Sequence, residues 1–196
     1  MKEKKEKVQN RPPMRYAIGL SIALFVLWIL LSGKFEAKLL IMGAIFSVFT
    51  AIISIPALTL VSKKTGKEFY LLEVKPLKFI GYSLWMFGQI TLASLDVAKA
   101  TLNKKLVEPR IIYFKMPFDN PSATALLSNS IIITPGTITL DVEDDGVFTV
   151  HALTKNAAEG LLEGTMQKKI AAVYGIDCEY TALPERTLIN IPKEVD

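Results

Sequence analysis

The sequence contains almost none of the residues that build metal centres or disulfide frameworks. Cys178 is its single cysteine and His151 its single histidine. One thiol cannot form an internal disulfide, and one cysteine with one histidine cannot supply the usual ligand sets of zinc or iron–sulfur sites. We therefore expect no metal site and no other cofactor.

Recognisable catalytic motifs are also missing, because the chain has no Walker A sequence, no G-x-G-x-x-G and no H-E-x-x-H. His151 lies in an alternating strand pattern without a thiol or carboxylate at ligand spacing, which favours a packed or surface residue. Three acidic residues before Gly146 imitate the first half of a calcium loop, but Ala152 stands where a bidentate glutamate is needed. The sequence predicts a plain hairpin turn there and no catalytic residue.

Two long stretches, residues 16–31 and 39–61, lack charge altogether. As helices, 14–32 would be about 28 Å long and 39–61 about 34 Å long, close to one hydrocarbon thickness. The connection at 33–38 leaves room only for a tight turn. The sequence therefore predicts a transmembrane helical hairpin over residues 16–61, and the lack of an A-x-A-like cleavage site disfavours a signal peptide.

Small residues recur every four positions in the second apolar run, at Gly43, Ser47 and Ala51. Residues with this spacing line one side of a helix and let a neighbouring helix approach closely. We expect a helix-packing face here, with chance occurrence on a lipid-facing helix as the alternative.

Charge is distributed unequally along the chain. Up to Pro109 there are 16 Lys and Arg against 7 Asp and Glu, a net charge of +9, and beyond it 7 against 12, a net charge of −5. A mobile basic leader, residues 1–15, and the basic flank at 62–78 indicate that both ends of the hairpin face the cytoplasm and its anionic lipid. The sequence thus predicts a multi-pass plasma-membrane protein with a cytoplasmic C-terminal domain, and no nucleic-acid partner.

A third helix is predicted over residues 77–106, with two faces. One stripe is polar or aromatic and comprises Lys78, Tyr82, Trp85, Gln89, Asp96, Lys99 and Asn103. The opposite stripe is apolar. We expect this helix to lie along the inner membrane surface or to pack obliquely on partner subunits, with a third span as the alternative.

Gln89, Asp96 and Lys99 are the candidate ion-relay residues of this helix, because a carboxylate three residues from an ammonium can form a neutralised pair at membrane depth. The alternative is that the pair marks the point where the helix emerges into lipid headgroups.

The C-terminal half of the sequence predicts a small α/β domain over residues 110–175, with strands and helices in the order β-α-β-β-α. Strands are expected at RIIYFKMPF, IIIT, TITLDV and VFTVHAL. Asn120-Pro121-Ser122 is expected to start one helix, SATALLSNS, and a second helix is expected from Lys155 to Tyr174, stopping at Gly175. The tail, residues 176–196, is expected to be loosely ordered or extended.

One run in this domain is similar to a known family. Its characteristic residues are Asn129, Ser130, Thr134, Pro135, Gly136, Thr137 and His151. In this order and spacing they resemble the E subunits of the Mrp-type multisubunit cation/proton antiporters, and SLDVAKATL at 94–102 resembles that family as well. Their residue types favour turn formation and docking rather than catalysis.

The resemblance implies a non-catalytic membrane subunit of an assembly that exchanges Na+ for H+, with other antiporter-like membrane subunits as its partners. The same module resembles subunits of membrane-bound hydrogenases and ferredoxin-linked respiratory complexes, in which a hydrogenase-like redox arm would be a further partner. We expect the small-residue face and the polar stripe of the third helix to meet these partners. A membrane-tethered ligand-binding module and a membrane-anchored enzyme are the competing hypotheses.

Overall fold

The computed structural model of the chain describes residues 14–62, 65–70, 73–177, 179–184 and 188–189. Most of the predicted basic leader and Cys178 therefore lie outside the described residues. The chain forms two compact units, of which the first contains the two N-terminal helices and a short β-hairpin, and the second contains everything from Val74 onward.

The first unit begins with two apolar helices, α1 (Met14–Ser32) and α2 (Ala37–Ser54). By length and composition α2 could cross a membrane, whereas the apolar part of α1 in the described residues, Tyr16–Ser32, is shorter. The helices pack together through Trp28, whose indole Nε1 donates a hydrogen bond to the carbonyl of Leu39 at 3.2 Å.

The small residues Gly43, Ser47 and Ala51 are the buried residues of α2. A Cβ at Gly43 would overlap the indole ring of Trp28, so the bulkiest side chain of α1 fits only because Gly43 has none. The predicted packing face is thus occupied by a helix of the same chain.

The second apolar run is not helical to its end. α2 stops at Ser54, and β1 (Thr59–Val61) pairs antiparallel with β2 (Glu68–Tyr70). Pro56 accounts for the early stop, because it has no amide hydrogen to continue the helix and its ring clashes with the preceding turn. The helix predicted to Val61 is therefore about two turns shorter.

The second unit contains four helices and one sheet. The helices are α3 (Pro76–Leu102), α4 (Pro121–Ile133), α5 (Lys155–Leu162) and α6 (Thr165–Tyr174), and a 3₁₀ turn (Lys104–Leu106) follows α3. The predicted start of α4 and the predicted end of α6 are confirmed. The Asn120 side chain accepts a hydrogen bond from the amide of Ser122 and so caps α4, and Gly175 ends α6 in a left-handed conformation.

The sheet is antiparallel and is built around β3 (Arg110–Lys115). Along one edge β3 pairs with β5 (Val147–Ala152), which in turn pairs with β4 (Thr137–Val142). Along the other edge it pairs with β6 (Thr181–Ala182) and β7 (Leu188–Ile189). Two short segments of the predicted tail, β6 and β7, are therefore extended and belong to the sheet.

The core lies between the sheet and the helices. Phe114 and Phe148 are opposite each other on β3 and β5, and their rings stack with centroids 5.0 Å apart. Around them pack the fully buried residues of the helices, including Leu127, Ile131 and Ile170. Burial also raises the pKa of Tyr180, which closes one end of this core, to about 12.

Two predicted elements of this unit are wrong. Ile131 to Ile133, predicted as a strand, form the last turn of α4, because Ile131 continues the buried face that Ala123 and Leu127 begin at a spacing of four. The single helix predicted from 155 to 174 is broken at Gly164, where φ is +75° and a Cβ would press on the ring of Tyr180.

The turn between β4 and β5 is a hairpin turn, as predicted. Asp145 accepts hydrogen bonds from Lys115 Nζ at 2.8 Å and from the amide of Val147 at 3.2 Å, so this carboxylate holds the turn together. Gly146 has φ of +90° and lies against the backbone of Pro117, which leaves no room for a side chain.

Replacing Gly43 tests the pairing of α1 and α2. We expect Gly43→Val to displace Trp28, because the new methyl groups would occupy the space of the indole ring, at a cost of about 1–3 kcal/mol. Trp28 emission and its quenching by acrylamide, recorded in a Trp85→Phe background in detergent, measure the displacement. Gly19→Val is the matched control, since a Cβ at Gly19 meets nothing within 4 Å; equal spectra for the two variants would contradict the packing.

Candidate functional site

The polar stripe of α3 faces the α/β domain of the same chain. Tyr82, Met86 and Ala100 are the buried residues of the helix, and Trp85, Gln89 and Asp96 are half-buried between them. The expectation that this stripe meets partner subunits is therefore wrong for the part of it from Tyr82 to Asp96, because the α/β domain supplies the hydrogen-bond donors and the apolar surface that it requires. Lys78, Lys99 and Asn103, at the edges of the stripe, remain exposed.

Asp96 is the point at which α3 joins α5. The hydroxyl of Thr154 donates to Asp96 Oδ2 at 2.6 Å, and the side-chain amide of Asn156 donates to Oδ1 at 3.0 Å. Thr154 Oγ1 also accepts from the amide of Ala157 at 3.2 Å and so caps α5. Among the described residues no ion pair joins Asp96 to Lys99.

A second junction links α3 to α4. The hydroxyl of Tyr82 donates to Ser130 Oγ, and the Ser130 hydroxyl in turn donates to the carbonyl of Leu126 at 2.7 Å. Both side chains are buried. Because a buried hydroxyl without a partner is costly, this chain of hydrogen bonds specifies how the two helices meet.

The characteristic run after Ser130 forms the turn from α4 into β4. Thr134 Oγ1 donates to the carbonyl of Ser130 at 2.8 Å, and Thr137 Oγ1 donates to that of Ile131 at 2.6 Å. Gly136 has φ of +84°, and a Cβ on it would lie 3.1 Å from a methyl group of Val97 on α3. The turn therefore packs closely on α3 just beyond Asp96.

A cavity of about 370 Å³ lies between α3, this turn and α5. It brings together residues that the sequence analysis selected for two different reasons, namely Gln89 and Asp96 of the candidate relay and Thr134, Pro135 and Thr137 of the characteristic run. The carboxylates of Asp96 and Glu163 line the cavity. In the part of the chain that the structure describes, no basic side chain lines it.

Other predicted site residues lie apart from this cavity. Asn129 is exposed on α4, Lys99 is exposed on α3, and His151 is half-buried in β5, where it pairs with Ile111 and Ile138. None of these three lines the cavity.

Sequence reasoning missed Thr154 and Asn156 as the partners of Asp96. A threonine just before a helical pattern is an N-cap signal, so its capping role could have been found. Its contact with Asp96 could not, because 58 residues separate the two and no local pattern records the contact.

Comparison with known proteins places this architecture among subunits of membrane complexes. The chain is similar to one in the structure of the membrane-bound sulfane sulfur reductase, an archaeal respiratory membrane complex, with a TM-score of 0.57 and 27% sequence identity. The similarity covers 79% of this chain and 96% of that one.

The similarity to curated proteins is more specific. The chain is 28% identical over 153 residues to the E1 subunit of the Na(+)/H(+) antiporter of Staphylococcus haemolyticus, covering 77% of this chain and 91% of the relative. It is 28% identical over 148 residues to the E subunit of the Na(+)/H(+) antiporter of Bacillus subtilis, covering 74% and 88%. The model of the Na+/H+ ion antiporter subunit family MNHE matches residues 21–173, and the chain belongs to this family. The resemblance seen in the characteristic run is thus confirmed.

Replacing Asp96 tests the junction between α3 and α5. We expect Asp96→Asn to lower the free energy of unfolding of the second unit by about 1–2 kcal/mol, because the new amide group would face a donor where the carboxylate accepted a hydrogen bond. Trp85 fluorescence during urea unfolding, in a Trp28→Phe background in detergent, reports this unit. Lys99→Gln, one turn away and exposed, should leave the midpoint unchanged; an equal shift in both variants would show that Asp96 has no special part in the junction.

Proposed function

We propose that this chain is a non-catalytic accessory subunit of a multisubunit Na+/H+ antiporter, with α1 and α2 in the membrane and the second unit on the cytoplasmic side. The observation that carries the proposal is the match of the family over residues 21–173, which include parts of both units. The match thus supports one role in the family for the chain as a whole, and not for one unit alone.

The exposed surface of the first unit supports membrane insertion of the hairpin. The outward side chains of α2 are large and apolar, and Ile41, Ile45, Phe49 and Ile53 are each about 60% exposed. A soluble protein rarely presents such a surface, whereas lipid or the helices of other subunits would cover it. Lysines on both sides of the hairpin in the sequence support a cytoplasmic location for its two ends.

The chemistry of the second unit supports a role in assembly. Asp96, Tyr82, Thr134 and Thr137 all use their polar atoms in hydrogen bonds within the unit. These contacts hold α3 and the α4–β4 turn in one arrangement. A unit that uses these polar groups for its own packing, attached to a membrane hairpin, is suited to connecting larger subunits rather than to converting a substrate.

A respiratory complex is the second candidate host. The observation that favours it is the similar chain of known structure, which belongs to an archaeal respiratory membrane complex. In a host of this kind, whether hydrogenase-type or ferredoxin-linked, the chain would keep the same accessory role among antiporter-like subunits, and a redox arm would be an additional partner.

Purification of the native assembly distinguishes the two hosts. The chain would be tagged, solubilised from native membranes in mild detergent and analysed by native mass and by mass spectrometry. We expect antiporter-like membrane subunits in stoichiometric amounts; additional iron–sulfur or hydrogenase-like proteins would identify a respiratory host. A chain recovered alone, at the mass of a monomer, would contradict both and would favour a membrane-tethered binding module.

A second role for Asp96, as part of an ion route, can be separated from its role in the junction. We expect Asp96→Asn to lower the amount of assembled complex while transport per assembled complex stays unchanged, because the carboxylate is occupied by Thr154 and Asn156. Na+-dependent proton flux in everted vesicles, normalised to complex by quantitative blotting, measures this. Reduced flux per complex in Asp96→Asn but not in Asn156→Ala would instead place Asp96 in the route, with Gln89 beside it.

A further inference from the structure

The outward face of α3 carries an apolar stripe, which the exposed Thr91 interrupts near its middle. Its large side chains are between 54% and 90% exposed, and they are Leu77, Ile80, Leu84, Phe87, Leu95 and Leu102. Most of them follow one another at intervals of three or four residues, so they lie on one side of the helix and extend over nearly its whole length. An exposed apolar surface of this extent requires a covering.

The inward face limits what the covering can be. The α/β domain contacts α3 from Tyr82, which donates to Ser130, to Val97, which lies against Gly136, and Ala100 beyond it is buried as well. Because a polar domain is attached along this length, α3 cannot cross a bilayer while the unit is intact. The helix can still present its outward face to a membrane lying alongside it.

The charges around the stripe identify that membrane. Lys78 is exposed at the start of the helix, and Lys99, Lys104 and Lys105 are exposed at its end. Lys75 is exposed too, but its ammonium lies against Gly175 at the end of α6. Asp96 is the single acidic residue of α3, and its oxygens are turned inward to Thr154 and Asn156. An apolar stripe with cationic side chains at both ends is complementary to acyl chains below a layer of anionic headgroups.

We propose that α3 lies in the plane of the membrane, on the cytoplasmic leaflet, with its apolar stripe among the acyl chains and its lysines at anionic phospholipid headgroups. The occupant of the stripe is thus lipid, and α3 is the element that seats the soluble unit on the bilayer. The inference rests on the proposed membrane anchoring by α1 and α2, which places α3 only 21 residues of chain from the end of α2.

Spin-label accessibility in the full chain tests the proposal. In a Cys178→Ser background, the variants Leu84→Cys and Phe87→Cys place a label on the stripe, Asp144→Cys on the exposed hairpin turn, and Phe49→Cys on the outward side of α2. Each is reconstituted in vesicles of phosphatidylglycerol and phosphatidylcholine, and oxygen and nickel-chelate collision rates give the label depth. We expect the two stripe labels at one similar depth, about 5–10 Å below the headgroups, and the Asp144 label in water.

Other outcomes would overturn the proposal in distinguishable ways. Stripe labels near the bilayer centre, about 15 Å deep, would establish a third span instead. Stripe labels in water in vesicles, but shielded from both reagents in the native complex, would show that a partner helix covers the stripe. If the stripe labels lie at the same depth in vesicles of phosphatidylcholine alone as in the mixed vesicles, anionic lipid has no part in seating the helix. A water-exposed label at Phe49→Cys would show, independently of the stripe labels, that α1 and α2 do not anchor the chain in the membrane.

Discussion

The arrangement of the second unit depends on which face of α3 turns inward. A helix with one apolar and one polar face would ordinarily bury the apolar one against a domain, yet here the buried face contains Tyr82, Gln89 and Asp96. The reason is that the α/β domain offers matched partners: Ser130 for the Tyr82 hydroxyl, and Thr154 with Asn156 for the Asp96 carboxylate. Small residues let the helix approach closely, with Ala93 between these two contacts and Ala100 beyond them.

This choice of face has a structural consequence for the whole chain. With its hydrogen-bonding groups satisfied inside, α3 presents leucine, isoleucine and phenylalanine outward, so the second unit acquires an apolar surface beside the exposed lysines. The hairpin of α1 and α2 in the first unit and the outward face of α3 in the second are thus both apolar surfaces. Each unit can therefore contact lipid or other membrane subunits, which fits the role proposed for the chain.

Local signals in the sequence predicted much of this structure. The uncharged runs predicted α1 and α2, Gly175 predicted the end of α6, and the acidic turn before Gly146 predicted a hairpin. Predictions failed where distant contacts decide the outcome. Three isoleucines favour a strand by propensity, but burial of Ile131 against the sheet makes them helical.

The candidate site was predicted only in part, for a similar reason. Asp96 and the run from Ser130 to Thr137 could each be selected from sequence, because a carboxylate on an apolar helix and a Thr-Pro-Gly turn are local features. That Asp96, Thr134 and Thr137 line one cavity follows from the packing of α3 on α4 and α5, which joins segments about 40 to 60 residues apart in the chain.

Hydrogen exchange of the full chain in detergent tests most directly whether α3 belongs to the core of the second unit. We expect the amides of α3 between Tyr82 and Ala100 to exchange at the same slow rate as those of α4 and α6, and Asp96→Ala to accelerate all three together, since they form one cooperative unit. Rapid exchange of α3 in the unaltered chain, with α4 and α6 still protected, would refute this arrangement and would mean that α3 is held mainly by the membrane or by another protein of the complex.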